Sequence, residues 1–235
     1  VVGAAISYGN TMVDSDNATT TNTEVNSYQL TLYGDQRLDN DVHISGMAAY
    51  AYNNIDSTRH NVGGVPGLTA RGKHAAHELT LRGEIGKDYK RGNMTTTPIL
   101  TAQWTHYMPE SYTETGAGGA NLNVRGKDLD ILRLGFGVEN SWLIEKDNGV
   151  ILEPEIRAGY SYDVIGDKVE TTSRFTGGGG SFTSAGFEPA QHSINAGAGV
   201  TYYADDKWEV STDYDFEYKS NYTAHSGKLN LAYKF

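Results

Sequence analysis

Apolar and polar residues alternate along most of this chain, and that period of two constrains its fold more than any other feature. Successive side chains of a strand point to opposite faces, so alternation marks a sheet with two unlike sides. In the first such segment Val2, Ala4, Ile6 and Tyr8 share one face, with Gly3, Ala5, Ser7 and Gly9 on the other. The next sets Tyr28, Leu30 and Leu32 against Gln29, Thr31 and Tyr33. Val42, Ile44, Ala48 and Tyr50 then oppose His43, Ser45 and Ala49, and Leu79, Leu81 and Ile85 oppose Glu78, Thr80, Arg82 and Glu84. Pro98, Leu100, Ala102 and Trp104 oppose Thr97, Thr101, Gln103 and Thr105. The second half repeats the pattern: Leu132, Leu134, Phe136 and Val138 against Arg133, Gly135, Gly137 and Glu139, then Leu152, Ile156, Ala158 and Tyr160 against Glu153, Glu155, Arg157 and Gly159. Ile194, Ala196, Ala198, Val200 and Tyr202 oppose Ser193, Asn195, Gly197 and Thr201. Trp208, Val210, Tyr214 and Phe216 oppose Glu209, Ser211, Asp213, Asp215 and Glu217, and finally Leu229, Leu231, Tyr233 and Phe235 oppose Lys228, Asn230 and Lys234.

These segments predict about ten strands of roughly the 9–11 residues that a tilted membrane strand needs. The connections alternate in length. Long ones are expected near Asp14–Thr23, Asn54–Ala75, Pro109–Arg125 and Val164–Gln191, with a shorter last one at Ser220–Thr223. Short ones fall at Arg37–Asn40, Asp88–Asn93, Glu145–Gly149 and Ala204–Lys207. Long loops at one end and short turns at the other predict an all-β, antiparallel, up-and-down transmembrane β-barrel. On this reading the short turns and Phe235 face the periplasm and the long loops face outward from the bacterial outer membrane.

Composition excludes several other classes. The net charge is -10 and the pI about 5.1, against the basic surplus that nucleic-acid phosphates demand. There is no Cys, hence no disulfide framework, zinc–thiolate cluster or thiol nucleophile. No run of about 18 apolar residues offers a transmembrane helix. The chain starts Val1-Val2 without an initiator Met or a signal segment, and so reads as a fragment or a processed product. It is treated as one domain over 1–235.

The polar face supplies the candidate lumen: Glu78, Arg82, Glu84, Arg133, Glu139, Glu153, Glu155, Arg157, Glu209, Asp213, Asp215 and Glu217. A water-filled lumen with side-chain ion pairs would carry such residues; the exposed strands of a soluble sheet would too. Leu229, Leu231, Tyr233 and Phe235 alternate up to a terminal aromatic and form the candidate assembly signal, an edge strand suited to β-augmentation. Tyr8, Tyr28, Tyr50, Trp104, Tyr160, Tyr162, Tyr202, Trp208 and Tyr218 stand near strand ends on the apolar face, as a membrane-boundary girdle or a sandwich core would place them. His74-Ala-Ala-His77 is expected in a solvated loop-to-strand junction and not at a metal, and Asp14-Ser15-Asp16 lacks the spacing of a calcium loop. Gly177–Gly180 has no following Lys or helix to make a phosphate cradle. Asp213, Asp215 and His225 are the only residues suggesting a catalytic group, of the aspartate–histidine protease kind.

Several stretches resemble the translocator domain of classical (type Va) autotransporters: Gly3-Ala-Ala-Ile-Ser-Tyr8, Tyr28-Gln-Leu-Thr-Leu-Tyr-Gly34, Thr97-Pro-Ile-Leu-Thr101, Tyr112-Thr-Glu-Thr-Gly-Ala-Gly118 and Leu134-Gly-Phe-Gly137. Phe182-Thr-Ser-Ala-Gly186, Gly197-Ala-Gly-Val200, His225 and Phe235 continue the match across nearly the whole chain. The resemblance implies a barrel that anchors a passenger in the outer membrane and helps it reach the surface, with no cofactor and no catalysis. Implied partners are outer-membrane lipid and lipopolysaccharide, the barrel-assembly machinery and the passenger itself, but no nucleic acid. That family's barrel has twelve strands threaded by a linker helix, so the first two strands and the helix are expected to precede Val1. The competing readings are a complete ten-stranded surface protease, or a porin or adhesion barrel.

Overall fold

The computed structural model describes residues 1–15, 20–146, 149–186, 190–203 and 207–233. Ten long strands follow in order: β1 (Val2–Ser15), β2 (Thr21–Arg37), β3 (Val42–Arg59), β4 (Ala70–Lys87), β5 (Met94–Pro109), β6 (Leu129–Trp142), β7 (Ile151–Gly166), β8 (His192–Tyr203), β9 (Trp208–Lys219) and β10 (Tyr222–Tyr233). Each pairs antiparallel with its neighbours in sequence, so the wall is an up-and-down meander that curls into a half-barrel. No α-helix occurs among the described residues, and strand accounts for 77% of them, as an all-β barrel wall requires.

Turn chemistry sets the hairpins. Between β2 and β3, Asn40 (φ 64°) and Asp41 (φ 59°) both occupy the left-handed region, which their short polar side chains tolerate and which matches the twist of a tight hairpin. Asn221 (φ 64°) does the same in the two-residue β9–β10 turn.

Several expectations change. The strands run from 12 to 18 residues, beyond the span of a membrane. The predicted Asn54–Ala75 connection is really strand as far as Arg59 and again from Ala70, because β3 and β4 keep pairing to Arg59↔Ala70. His74 and His77 therefore lie within β4, not in a loop. The two longest connections are also structured. Strands 112–113 and 122–125 of the β5–β6 connection join strands 170–175 and 182–185 of the β7–β8 connection in a separate four-stranded sheet, here called the cap. Finally, β10 pairs with β9 and β1 with β2, and the two edges do not pair with each other among the described residues. Phe235, Lys234 and Asp16 lie outside the described residues.

The interior and exterior are inverted relative to a soluble fold. Most buried positions in the wall are small or polar, among them Thr31, Ala49, Ala51, Asn53, Thr80, Thr97, Ser141 and Ser193, with Ile55 an apolar exception. Large apolar side chains are exposed instead, among them Leu30, Leu32, Leu81, Leu100, Phe136, Ile156, Ile194 and Leu231. The accessible surface is 14781 Å² for 25.6 kDa, where a compact soluble chain of that mass shows roughly 10,400 Å². So continuous an apolar exterior is stable only against lipid.

Candidate functional site: the charged concave face

Pairing register decides which side chains meet. Glu155 faces Ser141 and Gly199, Arg157 faces Glu139 and Gly197, and Asp215 faces Gly197 and Ser226. Followed from strand to strand, the same rows place Glu78, Arg82, Glu84, Arg133, Glu139, Glu153, Glu155, Arg157, Glu209, Asp213, Asp215 and Glu217 on one side of the sheet. Leu229, Leu231 and Tyr233 are on the other, facing Thr212, Val210 and Trp208. The charged side is concave. Ion pairs there span a whole intervening strand, as in Arg157 of β7 with Asp213 and Asp215 of β9.

That crossing depends on glycine. A Cβ on Gly197 of β8 would stand 2.7 Å from Asp215 Oδ1 and 3.0 Å from Arg157 Nε. The bare backbone lets the Arg157 guanidinium donate to Asp213 Oδ1 at 3.0 Å and Asp215 Oδ1 at 2.9 Å, with Glu155 also against it. Lys228 of β10 closes this group on Asp215 at 3.0 Å. A second group forms nearer the long-loop end. Asp163 accepts from Arg133 Nε at 2.7 Å and Lys219 Nζ at 3.1 Å, while Glu217 accepts from Ser193 at 2.7 Å and lies 3.6 Å from Arg133. Elsewhere Arg82 pairs with Glu84 at 3.0 Å, Thr80 donates to Glu78, and the Tyr203 hydroxyl donates to Glu153. Glu139 stands opposite Arg157 in the register without closing an ion pair with it among the described residues. Asp163 and Lys219 were absent from the sequence reading, although each simply continues the inward parity of its strand.

The same parity separates the suggested protease group. His225 faces Phe216 on the convex side, and its Nδ1 lies 2.6 Å from the Tyr214 hydroxyl. Asp213 and Asp215 point to the concave side, so the three cannot converge. His74 and His77 likewise occupy opposite faces and do not form a ligand pair.

The cap leans over the concave face at the long-loop end. Arg59 of β3 binds Glu114 through two parallel bonds, Nε to Oε1 at 2.7 Å and Nη2 to Oε2 at 2.6 Å. Glu114 is only 4% exposed and also accepts from the Leu122 amide at 2.8 Å. The hydrogen bond to Glu114 is the main reason the Arg59 guanidinium is held above its ordinary range. Val62, Ala70 and Ala117 form a small apolar cluster beside this pair. Arg71 and Thr115 exchange backbone hydrogen bonds of 2.8 and 2.9 Å. Tyr112 stacks on His74 at 4.2 Å between ring centroids, and burial raises the phenol and lowers the imidazole from its ordinary 6.5. His74 Nδ1 is buried without a hydrogen-bond partner among the described residues. Its folded-state value lies below the unfolded one, so the stability it permits is present above about pH 6.5 and is lost as pH falls below it. Amide protection of the cap is therefore expected to drop between neutral and acidic pH. His74→Phe should flatten that dependence; an acid response unchanged by the substitution would rule out His74 as its source.

The model of the autotransporter β-domain family matches residues 1–215. The chain is an autotransporter β-domain. Outer membrane protein B of Rickettsia prowazekii (strain Madrid E) is 27% identical over 244 residues, covering all of this chain and 15% of that protein. Outer membrane protein A of Rickettsia conorii is 27% identical, covering all of the chain and 12% of that protein. The chain thus spans a small fraction of these relatives' length. The translocator domain of the autotransporter NalP from Neisseria meningitidis has the same fold, with a TM-score of 0.77 at 16% identity, covering 100% of this chain and 76% of that one. The β-domain of the Bordetella autotransporter BrkA superposes with a TM-score of 0.62 at 12% identity, covering 100% and 91%. This β-domain is an outer-membrane β-barrel unit of type V secretion, which anchors a passenger and serves its translocation.

Proposed function

We propose that the concave charged face is the wall of the conduit through which the chain's own passenger leaves the cell, and that the wall works mechanically, without catalysis. The observation that carries this reading is the two-sidedness of the sheet. One face is apolar enough only for lipid, and the other offers a polar, hydrated surface that a polypeptide can slide past without being bound along its length. The long loops and cap are assigned to the cell exterior and the short turns to the periplasm. The unpaired edges of β1 and β10 need covering in a membrane, where no water can satisfy their backbone groups. Two further strands from the segment preceding Val1 would supply that cover and bring the wall to twelve, with residues 1–235 as the rest of the domain. Lipopolysaccharide and outer-membrane lipid contact the convex face. Leu229, Leu231, Tyr233 and Phe235 form the stripe by which the barrel-assembly machinery engages the last strand.

The test uses the full-length gene. Removing residues 1–235 should abolish surface display of the passenger; undiminished display would refute the role. Phe235→Asp should lower the yield of heat-modifiable, folded barrel in cells more than Lys234→Asp does, because only the former interrupts the apolar stripe. Equal folded yields would remove the terminal signal from this reading.

A further inference from the structure

The convex face carries a repeat that the passenger role does not call for. Across every hairpin at the long-loop end, an aromatic side chain on the odd strand reaches diagonally to a polar group two residues before its direct partner on the even strand. Tyr8 faces Tyr28, and its hydroxyl donates to Asn26 Oδ1 at 2.6 Å. Tyr50 faces Leu79, and its hydroxyl lies 2.7 Å from His77 Nδ1. Trp104 faces Leu132, and its Nε1 donates to Asp130 Oδ1 at 2.9 Å. Tyr160 faces Ile194, with its hydroxyl 2.5 Å from His192 Nδ1. Tyr214 faces Gly227, with its hydroxyl 2.6 Å from His225 Nδ1.

On β2 to β4 the clasps fall where the convex face changes character. Leu30 and Leu32, Tyr50 and Ala48, and Leu79 and Leu81 lie on the short-turn side. Asn26 and Glu24, Asn54 and Asp56, and Lys73 lie on the other. Amphipathic rings with their polar ends turned to one side mark the boundary between hydrocarbon and headgroups.

The clasps are not alike in charge. Those on β1 to β6 stand among outward carboxylates. His77 Nε2 is 3.8 Å from Glu110, and His106 Nδ1 is 3.1 Å from Asp130. On β7 to β10 no Asp or Glu faces outward among the described residues, because all of them take the inward parity. His192 and His225 lie on this acid-free arc, exposed, one strand apart from each other across β9. The phenol occupies Nδ1, so a neutral ring accepting from it carries its proton on Nε2, and a protonated ring carries one there as well. In both states the second nitrogen is a hydrogen-bond donor, and it has no protein partner among the described residues.

We infer that His192 and His225 form a docking site for lipid phosphate at the outer boundary of the membrane. Their Nε2–H groups donate to phosphate oxygens of the headgroups, and Tyr160 and Tyr214 fix the ring orientation. The inference rests on the membrane placement and orientation proposed above. The acid-free arc is what selects an anionic headgroup there, and the carboxylates beside His77 and His106 exclude one from the opposite arc.

The test uses the full-length protein, purified and reconstituted in nanodiscs, with two probes: diphosphorylated lipid A and the same lipid without phosphates. Lipid retention is measured by native mass spectrometry. The wild-type protein should retain the phosphorylated lipid at least about tenfold better, roughly the value of one charge-assisted hydrogen bond. His192→Phe with His225→Phe keeps ring volume and should bring the ratio close to one, while His77→Phe leaves it unchanged. A wild-type protein without preference, or a double variant that keeps it, overturns the site. Should the double variant not fold, the wild-type imidazole nitrogen resonances decide: a shift of two rings on adding the phosphorylated lipid supports the site, and unchanged resonances overturn it. A chain that never partitions into the outer membrane would overturn the functional reading as well, whereas a normally inserted protein without phosphate preference overturns this inference alone.

Discussion

Leu100→Lys is expected to lower the stability of the membrane-inserted β-domain by about 2–4 kcal/mol, the cost of a lysine near the bilayer midplane on a lipid-facing strand position. Leu100 projects from the convex face of β5 and is exposed there, between Ile85 of β4 and Phe136 of β6. Thr101→Lys, one residue along, should cost far less. Thr101 faces Glu84 and Gly135 on the concave side, where an added ammonium meets water and a carboxylate. The measurement is equilibrium unfolding by urea in phospholipid vesicles, followed by the gel mobility of folded and unfolded forms. Equal losses for the two variants would mean that the two faces do not see different solvents, and the membrane assignment of the convex face would go with them.

Glu114→Ala is expected to loosen the cap from the wall by about 3 kcal/mol, the lower end of what breaking a buried ion pair costs. The substitution strands the Arg59 guanidinium and leaves the Leu122 amide without its acceptor. The lower end applies because Arg59 keeps a 23% exposed side chain and so recovers some hydration. Hydrogen exchange across 112–125 should rise toward that of an open loop, while β4 and β5 below the cap keep their protection. Arg59→Ala should do the same, and the double variant should cost less than the sum of the two, since the second change removes the stranded charge. Additive losses would show that the pair is not the fastening. The cap is held over the long-loop end by this charged clasp, the His74–Tyr112 stack, the Arg71–Thr115 backbone pair and a small apolar cluster, so loosening the clasp alone tests its share of the fastening.

Much of the fold was legible because a strand encodes its own two faces. Glu153, Glu155 and Arg157 share a side in the structure for the reason they share one in the sequence: they are two residues apart. The twelve charged positions assigned to one face lie on one face, and the aromatic positions assigned to the other lie on the other. The reading stopped short where the alternation ran on past polar residues. Asn54, Asp56 and Thr58 continue the outward parity of β3 beyond the apolar band, so their stretch looked like loop although its backbone remains paired. The same error put His74 in solvent, whereas it is half-buried against Tyr112. The suggested grouping of Asp213, Asp215 and His225 failed on parity alone: His225 is an even number of residues from Leu229 and Leu231, which sit on the apolar face.

The sequence by itself determined which side chains look inward, which look outward and at which end the long connections gather. Period and spacing are local properties, and a slip of one residue would turn every apolar side chain into the lumen. Only the tertiary structure decided which inward groups meet. Arg157 reaches Asp213 and Asp215 across a strand because the sheet curves and Gly197 leaves the path open. Arg59 meets Glu114 because two long connections fold into a common sheet over the rim. The recurring diagonal clasps in the hairpins, and the acid-free arc on which His192 and His225 stand, also emerge only when ten strands are laid side by side. Such contacts join residues tens of positions apart, and their distances are set by register, curvature and loop path, which alternation along a single strand does not carry.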